Sequence, residues 1–413
     1  MQRRTARVCR TPIARLLCAF VICAVPVASS MGIDPERREK AERMASRAME
    51  WLRTQQDART GGWALPPSGP VYPAITGLVV NGMLMEPGLS ASDPDIDRAL
   101  RFILSYAQED GGIYDQILAN YNTSICLSAL ARAHTPEARR VIPGAQAFLR
   151  GLQYSEAADT TTPAGAETKV VTRDHPFYGG VGYGNHGRPD NSNLNLMLQA
   201  LHDSGVRGDD PAFERALVFL ARTQMLDSVN DMPYADLSSQ GGFIYATSPN
   251  AESVDRLVGQ SQAGMIDETL ENGQQISRLR AYGSMTYAGF KSYIYADLKR
   301  DDPRVVAAYE WLRNNYTLEE NPGIGTDGMY YYYVTFARAM NAWGEETIDV
   351  VVRGSGDERT ETRDWANDLI DRLATLQNED GSFRSVDDRW MENNPVLITA
   401  YGLLALQNAR GLK

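Results

Sequence analysis

Ala48-Met-Glu-Trp51-Leu-Arg-Thr-Gln55, then Gly61-Gly62-Trp63, then a helical run from about Ala74: the reading of this stretch decides the fold, because the chain writes it six times. The second copy is Ala99-Leu-Arg-Phe102-Ile-Leu-Ser-Tyr-Ala-Gln108 with Gly111-Gly112-Ile-Tyr114 and a helical run over 120–133. The third joins Ala147-Phe-Leu149-Arg-Gly-Leu-Gln153 to Gly179-Gly180-Val-Gly-Tyr183 and a run over 190–202. The fourth joins Ala216-Leu-Val-Phe219-Leu-Ala-Arg-Thr-Gln224 to Gly241-Gly242-Phe243 and a late helix over 282–298. The fifth, Tyr309-Glu-Trp311-Leu312, lacks the Gln and has Gly323-Ile-Gly325 before 328–343. The sixth is Leu369-Ile-Asp-Arg-Leu373-Ala-Thr-Leu-Gln377, Gly381-Ser-Phe383 and 395–407. Inserted loops stretch the period to roughly 50 to 80 residues, at or above the usual solenoid range.

The first helix of each copy is amphipathic. Met44, Ala48, Trp51 and Leu52 make one apolar stripe at helical spacing. The second helices differ: Ile125, Leu127 and Leu130, or Leu194, Leu196, Met197, Leu198 and Leu201, leave little polar face, and a helix apolar nearly all round is buried on all sides. Six such hairpins predict an all-α, (α/α)6 toroid: an outer layer of amphipathic helices around inner helices that line a central funnel.

With 413 residues and 43% apolar content, the chain can bury a large core as one domain over 31–413. Residues 1–30 stand apart. Arg3, Arg4, Arg7, Arg10 and Arg15 precede an apolar run over 16–27, and Ala28-Ser29-Ser30 follows, the pattern of a secretory signal peptide. A periplasmic or secreted location is therefore expected. Loss of that segment, five arginines and no acid, takes the formal charge from −11 to −16 and leaves Cys126 as the one cysteine. An internal disulfide and a cysteine-built zinc site are then excluded. An acidic surface argues against nucleic acid as a partner and suits small neutral or cationic ligands.

The string Leu-x-x-x-Gln followed by Gly-Gly-Trp or Gly-x-Phe, clearest from Trp51 to Trp63, Phe102 to Tyr114 and Leu373 to Phe383, resembles the QW-type repeat of the prenyltransferase and squalene-oxidase family, found in squalene-hopene cyclases and protein prenyltransferase β subunits. The resemblance implies the α/α toroid of the terpenoid cyclase and protein prenyltransferase superfamily. It also implies that Gln55, Gln108, Gln153, Gln224 and Gln377 tie outer helices to their neighbours, and that the funnel holds an isoprenoid or lipid-like ligand, with peripheral membrane proximity left open.

The family's chemistry does not carry over with the repeat. The Asp-x-Asp-Asp acid of such cyclases has no match in Asp93-Pro-Asp95-Ile-Asp97 or Ser385-Val-Asp387-Asp388. The Asp, Cys and His of a prenyltransferase zinc site are not assembled by His134, His175, His186, His202 and Cys126. No metal and no cofactor is read from the chain.

Each glycine turn should deliver the chain to the N-terminal end of an inner helix, where free N–H groups and the positive dipole end gather. The residues there are the candidates. Asp190, in Arg188-Pro189-Asp190, is the first carboxylate of interest, then Glu392 and Asp327; two of them paired across the funnel would supply an acid and a base, and each also fits the role of a helix-capping carboxylate. Tyr121, Asn122, Asn191, Asn193, Tyr282, Tyr287, Tyr330, Tyr331 and Asn393 make up a polar-aromatic lining. Of the four consecutive tyrosines 330–333, about two should face the funnel. Lys291 should snorkel, His186 reads as a loop residue, and insertions over 155–174 and 225–275 read as long loops of the kind that form lids. Three functions follow: an isoprenoid-binding, cyclase-like or transferase-like protein with a largely apolar funnel; a carbohydrate-active lyase or hydrolase; and a non-catalytic binding or scaffold module. Fold does not choose among them.

Overall fold

Six of the helices begin on Asp-Pro, Thr-Pro or Asn-Pro. Proline at the first helical position loses no bond that a helix would have made, and the preceding Asp, Thr or Asn can accept from the freed first-turn N–H groups; Asp34, Thr135, Asp210, Asp302 and Asn394 do so. The computed structural model describes residues 33–65, 70–156, 170–184, 187–270, 272–353 and 358–412. The expected signal segment lies outside them, as do His186 and most of 155–174.

The outer helices are α1 (Pro35–Thr54), α3 (Pro94–Leu104), α5 (Pro136–Gly151), α7 (Pro211–Thr223), α9 (Pro303–Asn314) and α11 (Trp365–Ala374). The inner ones are α2 (Pro73–Leu84), α4 (Ala119–Ala133), α6 (Asn191–Asp203), α8 (Gly283–Tyr295), α10 (Met329–Trp343) and α12 (Pro395–Ala409). Each inner helix packs on the one before and the one after, and α12 packs on α2, so the inner ring closes. Outer helices bury one stripe, as α3 does with Ile96, Ala99, Leu100, Phe102 and Ile103. Inner helices bury almost everything: in α12 every residue after Pro395 is buried. The (α/α)6 toroid is the architecture.

Three of the five glutamines, Gln153, Gln224 and Gln377, tie outer helices to their neighbours as expected; Gln55 and Gln108 do not. Gln153 donates to the carbonyls of Gly179 and Ala212, Gln224 to those of Gly241 and Arg304, and Gln377 to those of Gly381 and Met44. Each bonds its own glycine turn and the next outer helix, in its first turn for Ala212 and Arg304 and at mid-helix for Met44. In the first repeat this is Gln56, which donates to Gly61 and Asp95, whereas Gln55 reaches only Thr54; the spacing from Leu52 to Gln56 is the true Leu-x-x-x-Gln. Gln108 stays within its own repeat, on Tyr106 and Tyr114. The turn glycine must be glycine: Gly381 has φ +95°, and a Cβ there would lie 2.3 Å from the Arg47 carbonyl oxygen.

Among the described residues, two antiparallel hairpins depart from an all-helical chain. One, β1 (Met265–Thr269) with β2 (Gln275–Leu279), lies in the insertion expected to be loop; the other is β3 (Thr347–Arg353) with β4 (Glu358–Asp364). In β3 the alternation Ile348, Val350 buries one face against α9, the outer helix of the repeat that lacks its Gln.

Candidate functional site

At the N-terminal end of the inner ring, most of the expected lining is spent on holding the ring together. Asp190 is the N-cap of α6: 1% exposed, it accepts from the Asn193 N–H at 2.9 Å, from Ser192 Oγ at 2.7 Å and from Asn193 Nδ2. Burial pushes its carboxyl above the usual range against the pull of these bonds and of Arg188. Glu392 reaches from the loop before α12 to the start of α10, accepting from the Tyr330 and Tyr331 N–H groups at 3.0 and 2.8 Å. Burial raises its pKa to about 7 despite those bonds. Trp390 and Met391, at φ +55° and +64°, hold left-handed backbone just ahead of it, a conformation costing roughly 1–2 kcal/mol per non-glycine residue. Asp327 forms an ion pair with Arg389, which also donates to Gln262.

The asparagines are stitches. Asn122 accepts from the Ala74 N–H and donates to the carbonyls of Ile117 and Leu118. Asn191 donates to Ile244 and accepts from Thr223, and Asn193 completes the Asp190 cap. Asn393 is exposed. Thr76, Thr123, Thr286 and Thr399, each in an inner helix's first turns, accept from the N–H of Trp63, Ile113, Phe243 and Phe383, a repeat feature that fixes the residue after the glycines.

The tyrosines divide. Tyr121 and Tyr331 reach the axis half-buried, where Tyr121 Oη lies 3.2 Å from Tyr401 Oη and Tyr331 packs edge-on to Tyr401. Tyr282, the residue ahead of α8, is buried; burial first, with Tyr331 and Asp190 adding, holds its phenol well above the usual range. Tyr287 packs edge-on against Tyr332 and Phe336 in the layer between helices, away from the funnel. Tyr330, Tyr332 and Tyr333 point outward too, donating to the carbonyls of Arg384, Thr317 and Leu318. Of the four consecutive tyrosines one, not two, faces the axis.

The open cavity is at the other end. At the C-terminal ends of the inner helices a space of about 630 Å³ is lined by all six: Asn81, Arg132, Gln199 with His202 and Asp203, Tyr295, Arg338 with Asn341, and Asn408. Its volume is in the range of small-molecule sites, about 300–1,000 Å³. Beneath it Lys291, 1% exposed, does not snorkel; its Nζ donates to Gln199 Oε1 and lies 5.3 Å from the Tyr295 ring centre. Burial, with Arg338 adding and Asp203 opposing, pushes this amine well below its ordinary pKa. Gln199 Nε2 donates to Asp203 Oδ1 at 2.7 Å and to Tyr295 Oη at 3.1 Å. For Asp203, burial would raise the pKa, but the bonds from His202 and Ser128 and the charges of Arg338 and Arg132 together lower it. The His202 ring stacks on Tyr295 at 3.8 Å. Such a lining can hydrogen-bond both donor and acceptor groups of a ligand, and Asp203 with His202 can hold or move a proton.

None of these residues was a sequence candidate for ligand binding, though the signal was there. Ser128 and Arg132 one turn apart, Asn195, Gln199 and Asp203, or Thr335 and Arg338, are polar residues at helical spacing on helices otherwise apolar. Such a stripe on a buried helix marks an inner polar axis. No cluster of three or more His, Cys, Asp or Glu side chains among the described residues is arranged to hold a metal ion, and none of their helices is long and apolar enough to cross a membrane.

No family model matches the chain. It is 28% identical over 187 residues to a squalene-hopene cyclase of Bradyrhizobium diazoefficiens; the match takes in 43% of this chain and 28% of that protein's length. In fold it is similar to a type II terpene cyclase from Scytonema in complex with geranylgeranyl dihydroxybenzoate, with TM-score 0.50 and 12% identity over 92% of this chain and 99% of that one. It is also similar to an α-1,6-mannanase from a Salegentibacter species, with TM-score 0.54 and 8% identity over 91% of this chain and 100% of that one. These matches bear out the resemblance to the terpenoid cyclase and prenyltransferase superfamily and the toroid it implies.

Proposed function

We propose that this α/α toroid of the terpenoid-cyclase type is an exported, periplasmic or secreted, small-molecule-binding protein, and that its ligand is a polyhydroxylated, saccharide-type molecule seated in the cavity at the C-terminal ends of the inner helices. The observation that carries this is the lining: all six inner helices contribute, five of them with charged or amide side chains. An isoprenoid chain offers such groups no partner, and burying them unpaired would cost about 1–3 kcal/mol each. Hydroxyls both donate and accept, so one sugar ring can answer Asp203 and Gln199 as well as Arg338 and Asn341. The similar mannanase acts on a saccharide, which agrees with this reading at the level of fold only.

The reading is of a binding site before a catalytic one. Asp190 and Glu392, expected as an acid and base, are engaged in capping α6 and α10, and of the two carboxylates that line the cavity, Asp203 and Asp297, the second is exposed. A second reading, an isoprenoid in the N-terminal half of the funnel, is favoured by the partial identity to squalene-hopene cyclase and by the half-buried Tyr121 and Tyr331. Binding of the whole protein to a saccharide array and to geranylgeraniol, compared with an Ala342→Trp variant that plugs the cavity, separates the two. Saccharide binding lost in the variant is the expected result. Geranylgeraniol binding that survives the plug, with no saccharide bound, would put the second reading in its place.

A further inference from the structure

We infer that the saccharide this cavity takes is an acidic one, a uronate whose carboxylate sits between Arg132 and Arg338. The inference rests on the cavity being the ligand site. The side chain of Arg338, half-buried on α10 and facing the cavity, makes no hydrogen bond and no ion pair with a described residue. Arg132 on α4 commits only its Nε, to Asn81 Oδ1 at 2.8 Å. Their terminal nitrogens therefore have no hydrogen-bond or close ion-pair partner among the described residues, although the charge of Asp203 reaches both.

Elsewhere in this chain partly buried arginines are answered, most by a carboxylate, and Arg215 and Arg278 by the Gln153 amide oxygen and by the carbonyls of Asp236 and Ser277. Arg150 is paired with Asp210, Arg222 with Asp231, Arg304 with Asp302 and Arg410 with Glu86. With 52 acidic residues against 41 basic ones, acids are plentiful, yet neither carboxylate that lines the cavity, Asp203 or Asp297, forms an ion pair with either guanidinium. Asp203 is taken up by Gln199 and, at 3.6 Å, by His202.

Helix dipoles do not account for the pair. The partial negative charge at a helix C-terminus falls off within the last turn. Arg132 lies in the last turn of α4 and can answer it, but Arg338 stands five residues before the end of α10. A guanidinium in a concave, partly desolvated wall is suited to a planar carboxylate, which takes two parallel hydrogen bonds from it. Asp203 close by disfavours a dianion such as a phosphate monoester by repulsion. The acidic surface as a whole argues for neutral or cationic ligands; the two guanidiniums reverse that preference locally.

The test is calorimetric titration of the full chain with matched pairs, glucose and glucuronate, galactose and galacturonate, mannose and mannuronate, each with glucose 6-phosphate as a dianion control. At least one uronate should bind 10-fold or more tightly than its neutral partner, with the preference shrinking at high salt. Arg338→Gln should abolish the preference while keeping the thermal midpoint, Arg338→Lys should keep part of it, and Ala342→Trp should bind neither partner. Neutral and acidic partners bound alike, a preference that Arg338→Gln leaves intact, or tighter binding of the phosphate would each overturn the uronate inference and leave the cavity as the site. No member of any pair bound would overturn both.

Discussion

Gln377 Nε2 donates at 2.9 Å to the main-chain carbonyl of Met44, a residue 333 positions earlier, and through it the last repeat is joined to the first outer helix. The same side chain holds the Gly381 carbonyl at 3.0 Å. Gln377→Leu leaves both acceptors without their donor, and a loss of about 1–3 kcal/mol of unfolding free energy is expected. Urea denaturation measures it. A paired control sharpens the result: Gln56→Leu, which removes two such bonds, should be comparably costly, whereas Gln55→Leu should change stability by under about 0.5 kcal/mol, as a surface substitution does. Equal effects at 55 and 56 would refute the assignment of the repeat's register.

Glu392 couples the cap of α10 to pH. Its folded pKa, about 7, lies above the ordinary glutamate value of 4.5. Between those values the folded chain binds more protons than the unfolded one, so stability falls as pH rises from 4.5 through 7 and is flat with respect to this group above that. The slope approaches about 1.4 kcal/mol per pH unit at its steepest. Relative to Glu392→Gln, which does not titrate, the wild-type chain should lose stability across this window in denaturation at pH 4.5, 5.5, 6.5 and 7.5. A constant difference across the series would mean that the carboxylate is charged throughout.

Asp190 separates capping from catalysis. Asp190→Ala removes the acceptor for the Asn193 N–H and for Ser192 Oγ, and a cost of about 1–2 kcal/mol is expected. Asp190→Asn keeps an acceptor and should cost less. Neither change should alter ligand affinity at the far end of the inner ring. Affinity lost in Asp190→Asn at unchanged thermal midpoint would return Asp190 to the ligand site.

The fold was legible because its determinants are local and repeated: an Asp-Pro helix start, a Gln, a glycine turn and an aromatic residue can each be recognised within about fifteen positions. The hairpin β3–β4 is equally local, written in the alternation of Thr347-Ile-Asp-Val-Val-Val-Arg353, but it falls between two helical copies and outside the repeated pattern. The site was not legible for a different reason. Free N–H groups and the positive dipole end gather at helix N-termini, and the polar residues near them, Asn122, Asp190 and Glu392, do satisfy N–H groups there. Once satisfied by the chain itself, those groups no longer call for a ligand. The C-terminal cavity is formed by residues far apart in sequence, Asn81, Arg132, Gln199, Arg338 and Asn408, whose convergence only the closed ring creates.

Lys291 gives the last prediction. Its ammonium form would have three N–H donors, and Gln199 Oε1 is the one acceptor hydrogen-bonded to it; burial, first among the causes, pushes its pKa well below 10.5. A lysine depressed in the folded state binds fewer protons there than when unfolded, so from the folded pKa up to about 10.5 stability rises with pH. Below the folded pKa both states are charged and the full penalty of burying the cation remains. Lys291→Met keeps the volume and removes the titration, and Gln199 Oε1 keeps the Tyr295 hydroxyl at 3.3 Å. The variant should therefore be more stable than the wild type at pH 7, and the gap should close as pH rises towards 10.5, by up to about 1.4 kcal/mol per unit. Taking the difference between the two proteins removes the buried tyrosines, which also titrate at the alkaline end. Urea midpoints at pH 7, 8, 9 and 10 give the gap directly, and a gap that does not change with pH would show that Lys291 remains an ammonium beneath the cavity, adding a third cation to Arg132 and Arg338.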